Sequence, residues 1–340
     1  MILVVFLFRW GVHFAKSAYT NDYSYYMEGK MAEISIDEVN IPRECARGVI
    51  HEVEGEYFRK IELIADEILR KDDINVVLIA GPSGSGKTTT ANLIADEIKK
   101  RGDDAPVISL DDFYRLENDK NYPKKLNGEH DYESPLALDI DLFTEITDKI
   151  LKKEPFEVPK YDFKTGEQKK GASYFPLRRG CVIIEGLHAL NPIFAGRLPK
   201  ERAIKIFISV STNINAGGKR VLSGRKVRFI RRLVRDKIYR GASAERTLAM
   251  WKNVTAAEDI YLYPYKETAD FAFDTFHRFE LGVLREYALK FIPKSLYERD
   301  LYLEGIVSAL KQITPVNPSL VPEDSLIREF ISGGIYDGIY

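Results

Sequence analysis

A chain of 340 residues is long enough for one large α/β domain with additions, or for two domains. Its net charge of −1 and its 45% of hydrophobic residues describe a globular protein without a global attraction to nucleic acid or anionic membranes. Any phosphate-binding charge must therefore be local. The two cysteines, Cys45 and Cys181, match no metal-ligand spacing, which favours a reducing, cytoplasmic setting.

The start of the chain is apolar from Met1 to Phe8, but a bilayer span needs ~20 such residues. Neither a basic start nor a small-residue cleavage site marks it as a signal peptide. We predict that residues 1–45 are an N-terminal extension that need not be ordered, and we expect no stable membrane insertion. A weak membrane or partner contact is the alternative interpretation of residues 1–30.

Helical and strand patterns alternate along the rest of the chain. Residues 76–80 form a continuous apolar run, which is typical of a parallel strand buried on both faces. Further strands are predicted at 106–110, 181–184, 204–210 and 271–273. Helices are predicted at 56–69, 88–101, 139–151, 227–240 and 243–259, over most of 278–311, and at 324–330. This alternation predicts an α/β three-layer sandwich with a parallel sheet, whose ligands bind at the carboxyl ends of the strands.

A glycine-rich loop follows the first of these strands and matches the phosphate-loop pattern G-x-x-x-x-G-K-[ST] in full. Glycines let backbone N–H groups turn towards phosphates, and the next helix adds the partial positive charge of its N-terminus. Lys87 is predicted to reach the β- and γ-phosphates, and the Thr88 hydroxyl to bind Mg²⁺. The predicted nucleotide-binding residues are Gly81, Ser83, Gly84, Ser85, Gly86, Lys87, Thr88 and Thr89. The chain has no Asn-Lys-x-Asp segment of the kind that reads guanine in GTPases.

Carboxylates follow two other predicted strands. Asp111 and Asp112 end the strand at 106–110, and at least one of them is predicted to accept the acceptor's proton or to hold Mg²⁺ through water. A solvated turn or a helix cap is the alternative. Glu185 follows the strand at 181–184, and we expect it to bind Mg²⁺ directly or through water. His188, three residues later, is interpreted as a structural histidine rather than a substrate contact.

The segment from Lys219 to Arg240 contains ten lysines and arginines and one acid, Asp236. Four of its arginines, at 228, 231, 232 and 235, share one helix face, and apolar residues occupy the opposite face. This pattern predicts a helical lid, at about residues 212–245, that closes its arginines on a triphosphate. A nucleic-acid arm or a merely solvated basic face are the alternatives.

Five segments resemble, in their order, the uridine kinase and phosphoribulokinase group of phosphate-loop kinases. They are GPSGSGKTT at 81–89, SLDDFYR at 109–115, PKYDF at 159–163, IEGLHALN at 184–191 and RRLVRDKIYRG at 231–241. Residues 263–273 and 326–330 extend the resemblance to a bacterial-type uridine kinase-like subgroup. Members of that subgroup often carry an N-terminal TGS-type module, for which we expect too few residues here.

The resemblance implies a role for each matching residue. Asp111 corresponds to the general base, and Lys87, Arg235 and Arg240 complete the implied catalytic set. The implied acceptor-binding residues are Tyr114, Glu133, Tyr161, Phe163 and Arg232. The implied metal site consists of Thr88, Glu185 and Asp111, with ATP as donor and Mg²⁺ as cofactor. The kinase domain would span residues 46–275, and residues 276–340 would form a helical extension packed on it.

Two departures from the family pattern concern the acceptor. Gly166 stands where eukaryotic-type uridine kinases have a histidine that reads the pyrimidine, and Met250 where they have a glutamine. Polar readers are what allow a pocket to reject a wrong substrate strongly. A nucleoside, as in uridine or cytidine kinases, is the leading prediction, and a sugar or polyol is the alternative. A nucleotide-dependent switch or nucleic-acid-associated ATPase, and a nucleotide binder without catalysis, are further alternatives. No nucleic-acid partner is expected, and a homo-oligomer is compatible with the sequence.

Overall fold

Five parallel strands form the central sheet in the computed structural model, in the order β10-β7-β2-β6-β3. The structure describes residues 32–339 except 72, 126, 163, 164 and 178. The strands are β1 (Glu33–Ser35), β2 (Val76–Ala80), β3 (Val107–Ser109), β4 (Phe156–Asp162), β5 (Glu167–Tyr174), β6 (Val182–Glu185), β7 (Ala203–Ser209), β8 (Asn213–Ala216), β9 (Lys219–Leu222) and β10 (Phe271–Asp274).

Helices cover both faces of this sheet. They are α1 (Ile36–Val39), α2 (Ala46–Leu69), α3 (Lys87–Lys100), α4 (Ile140–Lys152), α5 (Pro192–Ala195), α6 (Gly224–Arg240), α7 (Ala244–Tyr261), α8 (Glu280–Phe291), α9 (Lys294–Tyr297), α10 (Leu301–Lys311) and α11 (Arg328–Ile331). In the part of the chain that the structure describes, no helix is both long and apolar enough to cross a membrane.

Strand β2 shows why the sheet has two apolar faces. All five of its residues are buried, and successive side chains alternate between two separate hydrophobic clusters. Val77 and Ile79 join the cluster with α2, α3, α6 and α8, whereas Val76 and Leu78 join the cluster with α4 and α5. The predicted α/β three-layer sandwich with a parallel sheet is confirmed.

The strand register brings the predicted chemical groups to one edge of the sheet. Strand β6 pairs with β2 on one side and with β3 on the other, so that Glu185 lies beside both Ile79 and Ser109. Because the strands are parallel, the loops that follow them leave from the same edge. The phosphate loop after β2, the aspartates after β3 and the end of β6 therefore converge.

A second sheet, in the order β1-β8-β9, was not predicted. Strand β1 pairs in parallel with β8, and Ser35 caps α1 through a capping box. The last part of the predicted N-terminal extension therefore contributes β1 and α1. The prediction for residues 1–31 lies outside the described residues. The hairpin of β4 and β5 was also not predicted.

The helices after residue 275 pack on the rest of the chain rather than standing apart. Helix α8 contacts α6, and α10 contacts α8. Near the C-terminus, Leu326 and Phe330 are completely buried in the same hydrophobic cluster as α2 and α3. Residues 325–331 therefore lie against the helix that begins at the phosphate loop.

Candidate active site

The phosphate loop connects β2 directly to α3 and has the backbone that its composition predicts. Gly84 and Gly86 adopt φ angles of 75° and 87°, in the left-handed region that favours glycine. A β-carbon at Gly84 would lie 2.8 Å from the carbonyl oxygen of Arg228. A β-carbon at Gly86 would lie 2.5 Å from the Leu326 side chain. Both glycines are therefore required by conformation and by close packing.

The two residues that end the phosphate-loop motif face the carboxyl edge of the sheet. The Lys87 amine donates a hydrogen bond of 3.3 Å to the Pro82 carbonyl. The Thr88 hydroxyl donates to Glu185 Oε1 at 3.3 Å. Burial raises the pKa of Glu185 to about 7, against the opposing influence of Lys87. A cation beside this carboxylate would compensate for its burial.

The oxygen donors at this position fit a magnesium ion. Mg²⁺ prefers oxygen ligands and keeps several waters, using few protein groups together with substrate phosphates. Thr88 and Glu185 supply a hydroxyl and a carboxylate within hydrogen-bond distance of each other. Among the described residues no cluster of three or more His, Cys, Asp and Glu side chains could hold a metal alone. That combination suits an ion shared with a bound triphosphate.

The two aspartates after β3 have different surroundings. They lie in a 3-10 helix, Leu110–Phe113, that Ser109 caps by accepting a hydrogen bond from the Asp111 N–H. Asp112 pairs with Lys160 at 3.1 Å and accepts from the Tyr161 N–H. The Asp111 side chain is exposed to solvent at its surface, yet protein packed around it raises its pKa by desolvation, and Lys87 opposes this by lowering the pKa. Asp111 is therefore the one beside the predicted phosphate-binding groups.

Aromatic rings cluster beside Asp111. The Tyr114 and Tyr161 rings lie 5.7 Å apart, and the pKa of Tyr114 is raised chiefly by burial and then by the Asp111 and Glu133 carboxylates. His130 stacks on Tyr122 with ring centroids 4.7 Å apart. Tyr114, Tyr122 and His130 come from the loop between Phe113 and Pro135, and Tyr161 comes from β4. Phe163 lies outside the described residues.

Glu133 lies at the inner end of this loop. Burial raises the pKa of its carboxyl group, while the nearby Arg232 guanidinium lowers it. His188 is buried and its ring hydrogen-bonds the backbone of Glu133. Burial also lowers the pKa of His188 to about 4, so its ring is neutral at pH 7. A neutral histidine therefore supports the loop that presents Glu133.

Two of the four arginines predicted to face the nucleotide from α6 do not do so. Arg228 and Arg231 are completely buried and form ion pairs with Glu258 at 2.8 Å and with Glu280 at 2.5 Å. Their guanidinium groups also donate to carbonyl oxygens of the phosphate loop, Arg228 to Ser83 and Arg231 to Gly84. These two arginines hold the loop from behind and do not point into the cleft.

The remaining arginines of α6 lie nearer the cleft. Arg232 donates to the Ser83 hydroxyl at 2.8 Å and also approaches Asp236. Arg235 and Arg240 both pair with Asp236 and both lower the pKa of Asp111, so they lie within electrostatic reach of it. The helix begins at a Ser223 cap and ends at Gly241 in the left-handed conformation. Closure of this helix as a lid stays a prediction.

The supporting carboxylates were missed at the sequence level. Glu258 is fully buried on α7, and besides Arg228 it accepts a hydrogen bond of 2.8 Å from the Ser83 N–H. Thr275 donates to the Ser85 carbonyl at 2.7 Å and accepts from Arg231. The only sequence hint was the position of acids in otherwise apolar helix faces. Which arginine each of these acids pairs with can be seen only once the chain is folded.

The comparison with known families decides the assignment. A model described as the phosphoribulokinase / uridine kinase family matches residues 76–280. The chain belongs to this family. It is accordingly a nucleotide-binding phosphotransferase that acts on a hydroxyl group, and its relatives imply a small-molecule acceptor. The family that the sequence motifs predicted is confirmed.

The chain is also similar to individual curated proteins and solved structures. A uridine kinase from Deinococcus deserti is 29% identical over 196 residues, which cover 57% of this chain and 84% of the relative. A uridine kinase from Geobacillus sp. is 30% identical, over 57% of this chain and 83% of the relative. The structure of D-glycerate 3-kinase from Cryptococcus neoformans is 13% identical, with a TM-score of 0.44, over 60% of this chain and 88% of that one.

Proposed function

We propose that this kinase transfers the γ-phosphate of ATP to a hydroxyl of a nucleoside, with uridine and cytidine as the first candidates. The observation that carries the proposal is the cluster of aromatic rings beside Asp111, in which the partly exposed Tyr114 and His130 lie against the buried rings of Tyr161 and Tyr122. Aromatic faces are suited to stack on a planar base. Similarity to uridine kinases supports the same acceptor class.

Each predicted site residue has a task in this proposal. Asp111 accepts the proton of the attacking hydroxyl, and its raised pKa makes it a better base than an ordinary aspartate. Lys87 and the loop N–H groups bind the triphosphate, and Thr88 and Glu185 hold Mg²⁺, which would neutralise charge that develops on the transferred group. Arg235 and Arg240 add positive charge on the side facing Asp111.

The acceptor end is assigned to Glu133, Arg232 and the aromatic cluster. Glu133 and Arg232 attract each other electrostatically and offer acceptors and donors suited to ribose hydroxyls. Phe163 and Thr89 remain predicted ligand contacts, for the base and the phosphates respectively. Tight closure of the loop and of α6 would exclude water, which otherwise competes as acceptor.

A sugar or polyol acceptor is the second candidate, and one feature favours it. A β-carbon at Gly166, the position of the family's base-reading histidine, would approach only the Tyr161 hydroxyl, at 3.9 Å. Met250, the position of the glutamine, is an exposed apolar residue on α7. The aromatic cluster is therefore present, but the polar side chains that would read the base are lacking at positions 166 and 250.

A panel of acceptors separates the two candidates. Purified protein would be incubated with ATP and Mg²⁺ plus uridine, cytidine, adenosine, ribose, fructose or glycerol, and ADP release would be scored. Release that depends on uridine or cytidine supports the proposal. Release that depends only on a sugar or polyol contradicts the nucleoside assignment, and release stimulated by RNA but by none of these acceptors contradicts transfer to a small molecule.

A further inference from the structure

The C-terminal segment of residues 325–337 bridges the phosphate-loop helix and the arginine helix, and it lies beyond the residues that the family model matches. Tyr336 donates a hydrogen bond of 2.6 Å to Asp96 on α3. Tyr239 on α6 donates one of 2.8 Å to Asp337. This segment therefore ties together the two helices that carry the predicted phosphate-binding groups.

The core of the segment is pressed against the phosphate loop itself. The Leu326 side chain occupies the space above Gly86, where a β-carbon would lie 2.5 Å away. The Phe330 ring lies 5.0 Å from the guanidinium carbon of Arg231, which in turn donates to the Gly84 carbonyl. Arg328 donates to the carbonyl oxygens of Pro318 and Val321, so that the chain before the segment is also held.

Glu329 is the charged residue at the centre of this contact. Its side chain is almost fully buried, and Oε2 accepts a hydrogen bond of 2.8 Å from the hydroxyl of Thr89, two residues after Lys87. Its other oxygen, Oε1, lies 3.6 Å from Nη1 of Arg235. A buried carboxylate needs such partners because an unpaired charge is costly to bury. One carboxylate thus joins the first turn of α3 to Arg235.

Arg235 shares the acid nearest to it on α6 with two other arginines. The nearest acid on its own helix is Asp236, which also pairs with Arg232 and Arg240 at 3.2 Å each. Three guanidinium groups therefore share one carboxylate, and they repel one another. Of these three arginines, Arg235 is the one that pairs with Glu329, which supplies a second carboxylate. This second partner favours a defined position for the Arg235 side chain.

We propose that Glu329 is a positioning residue that holds Arg235 in place to bind the terminal phosphate of the nucleotide. This inference rests on the proposed role of Arg235, and it deepens that role by assigning a task to the C-terminal extension. Removal of the Glu329 charge would let Arg235 turn towards Asp236 or solvent. The affinity for a triphosphate would then fall, while that for a diphosphate, which lacks the terminal phosphate, would not.

The test compares binding of MgATP and MgADP by isothermal titration calorimetry, without an acceptor. The variants are R235Q, E329Q and the double variant, with D337N as the matched control. D337N also changes an acid to an amide on the same segment, and it leaves one oxygen for the two donors that Asp337 accepts, the Tyr239 hydroxyl on α6 and the Gly333 N–H. R235Q and E329Q should each weaken MgATP about tenfold and MgADP by no more than about twofold, as expected for loss of one charge-assisted phosphate contact.

The double variant distinguishes positioning from a general structural role. If Glu329 acts through Arg235, E329Q should cause no further loss in the R235Q background. D337N should leave both affinities within about twofold of those of the unmodified protein. Equal weakening of MgATP and MgADP by E329Q, or the same additional loss in both backgrounds, would overturn the proposal.

Two further outcomes keep the result decisive. If R235Q leaves the preference for MgATP unchanged, the proposed role of Arg235 fails and the inference fails with it. If R235Q removes the preference but E329Q does not, only the inference fails. Should E329Q not fold, judged by thermal unfolding, E329D replaces it: the carboxylate is kept but retracted by one carbon, and the same comparisons apply. The acceptor panel is independent of all these measurements.

Discussion

Two ion pairs between α6 and α7 offer a matched test of how the phosphate loop is supported. Arg228 and Glu258 form a bidentate pair that is 1% and 0% exposed. Arg225 and Asp259 form a bidentate pair between the same helices, but with side chains 40% and 53% exposed. The substitutions E258Q and D259N therefore remove the same charge from adjacent residues in different surroundings.

The expected magnitudes differ because of burial. In E258Q the Arg228 guanidinium stays buried without its counter-charge, and a broken buried pair costs about 3–5 kcal/mol of unfolding free energy. In D259N, Arg225 remains hydrated, and an exposed pair contributes about 0–1 kcal/mol. E258Q should also weaken ATP binding, because Glu258 accepts the Ser83 N–H and Arg228 holds the Ser83 carbonyl.

The measurement is equilibrium urea unfolding of both variants beside the unmodified protein, followed by ATP titration of each. We expect E258Q to lose at least about 2 kcal/mol more than D259N. We also expect D259N to bind ATP normally. Equal stability losses in the two variants, or normal ATP affinity in E258Q, would refute the reasoning that this buried pair supports the phosphate loop.

Three further predictions concern single residues. D111N should lower phosphoryl transfer at least ~10²-fold while ATP affinity is nearly kept, and unchanged transfer would exclude Asp111 as the base. Burial raises the pKa of Glu54 from 4.5 to about 7, so the folded protein binds an extra proton between these values and stability falls as pH rises through them. Urea unfolding at pH 5 and pH 8 should show that E54Q loses about 3 kcal/mol less than the unmodified protein over this interval; equal losses would contradict the assignment. G86A combines a φ of 87° with a clash against Leu326, so ATP affinity measured by titration should fall at least ~10-fold, and normal binding would contradict the predicted strain.

The sheet and the phosphate loop could be predicted because their patterns are local. A strand buried on both faces must be continuously apolar, and β2 is found at the predicted residues, Val76–Ala80. The end of such a strand also locates Asp111 and Glu185 at one edge of the sheet. Strand β5 could not be predicted in this way, because most of its residues are exposed, and it exists through pairing with β4.

The arginine helix shows where local patterns fail. The spacing of Arg228 and Arg231 indicates one helix face, but whether that face is solvated depends on acids far along the chain. Glu258 is 30 residues from Arg228, and Glu280 is 49 residues from Arg231. An arginine can be buried only with such a partner. Which acid is the partner is decided by the fold and cannot be read from the helix sequence.

The most direct test of the central claim follows the γ-phosphate itself. The protein would be incubated with γ-labelled ATP, Mg²⁺ and uridine, and the products would be separated, with D111N and D112N as a matched pair. D112N is the control because Asp112 is paired with Lys160 rather than free in the cleft. We predict label in uridine monophosphate for the unmodified protein and D112N, and almost none for D111N. Label found only in inorganic phosphate, with or without uridine, would contradict transfer to a nucleoside.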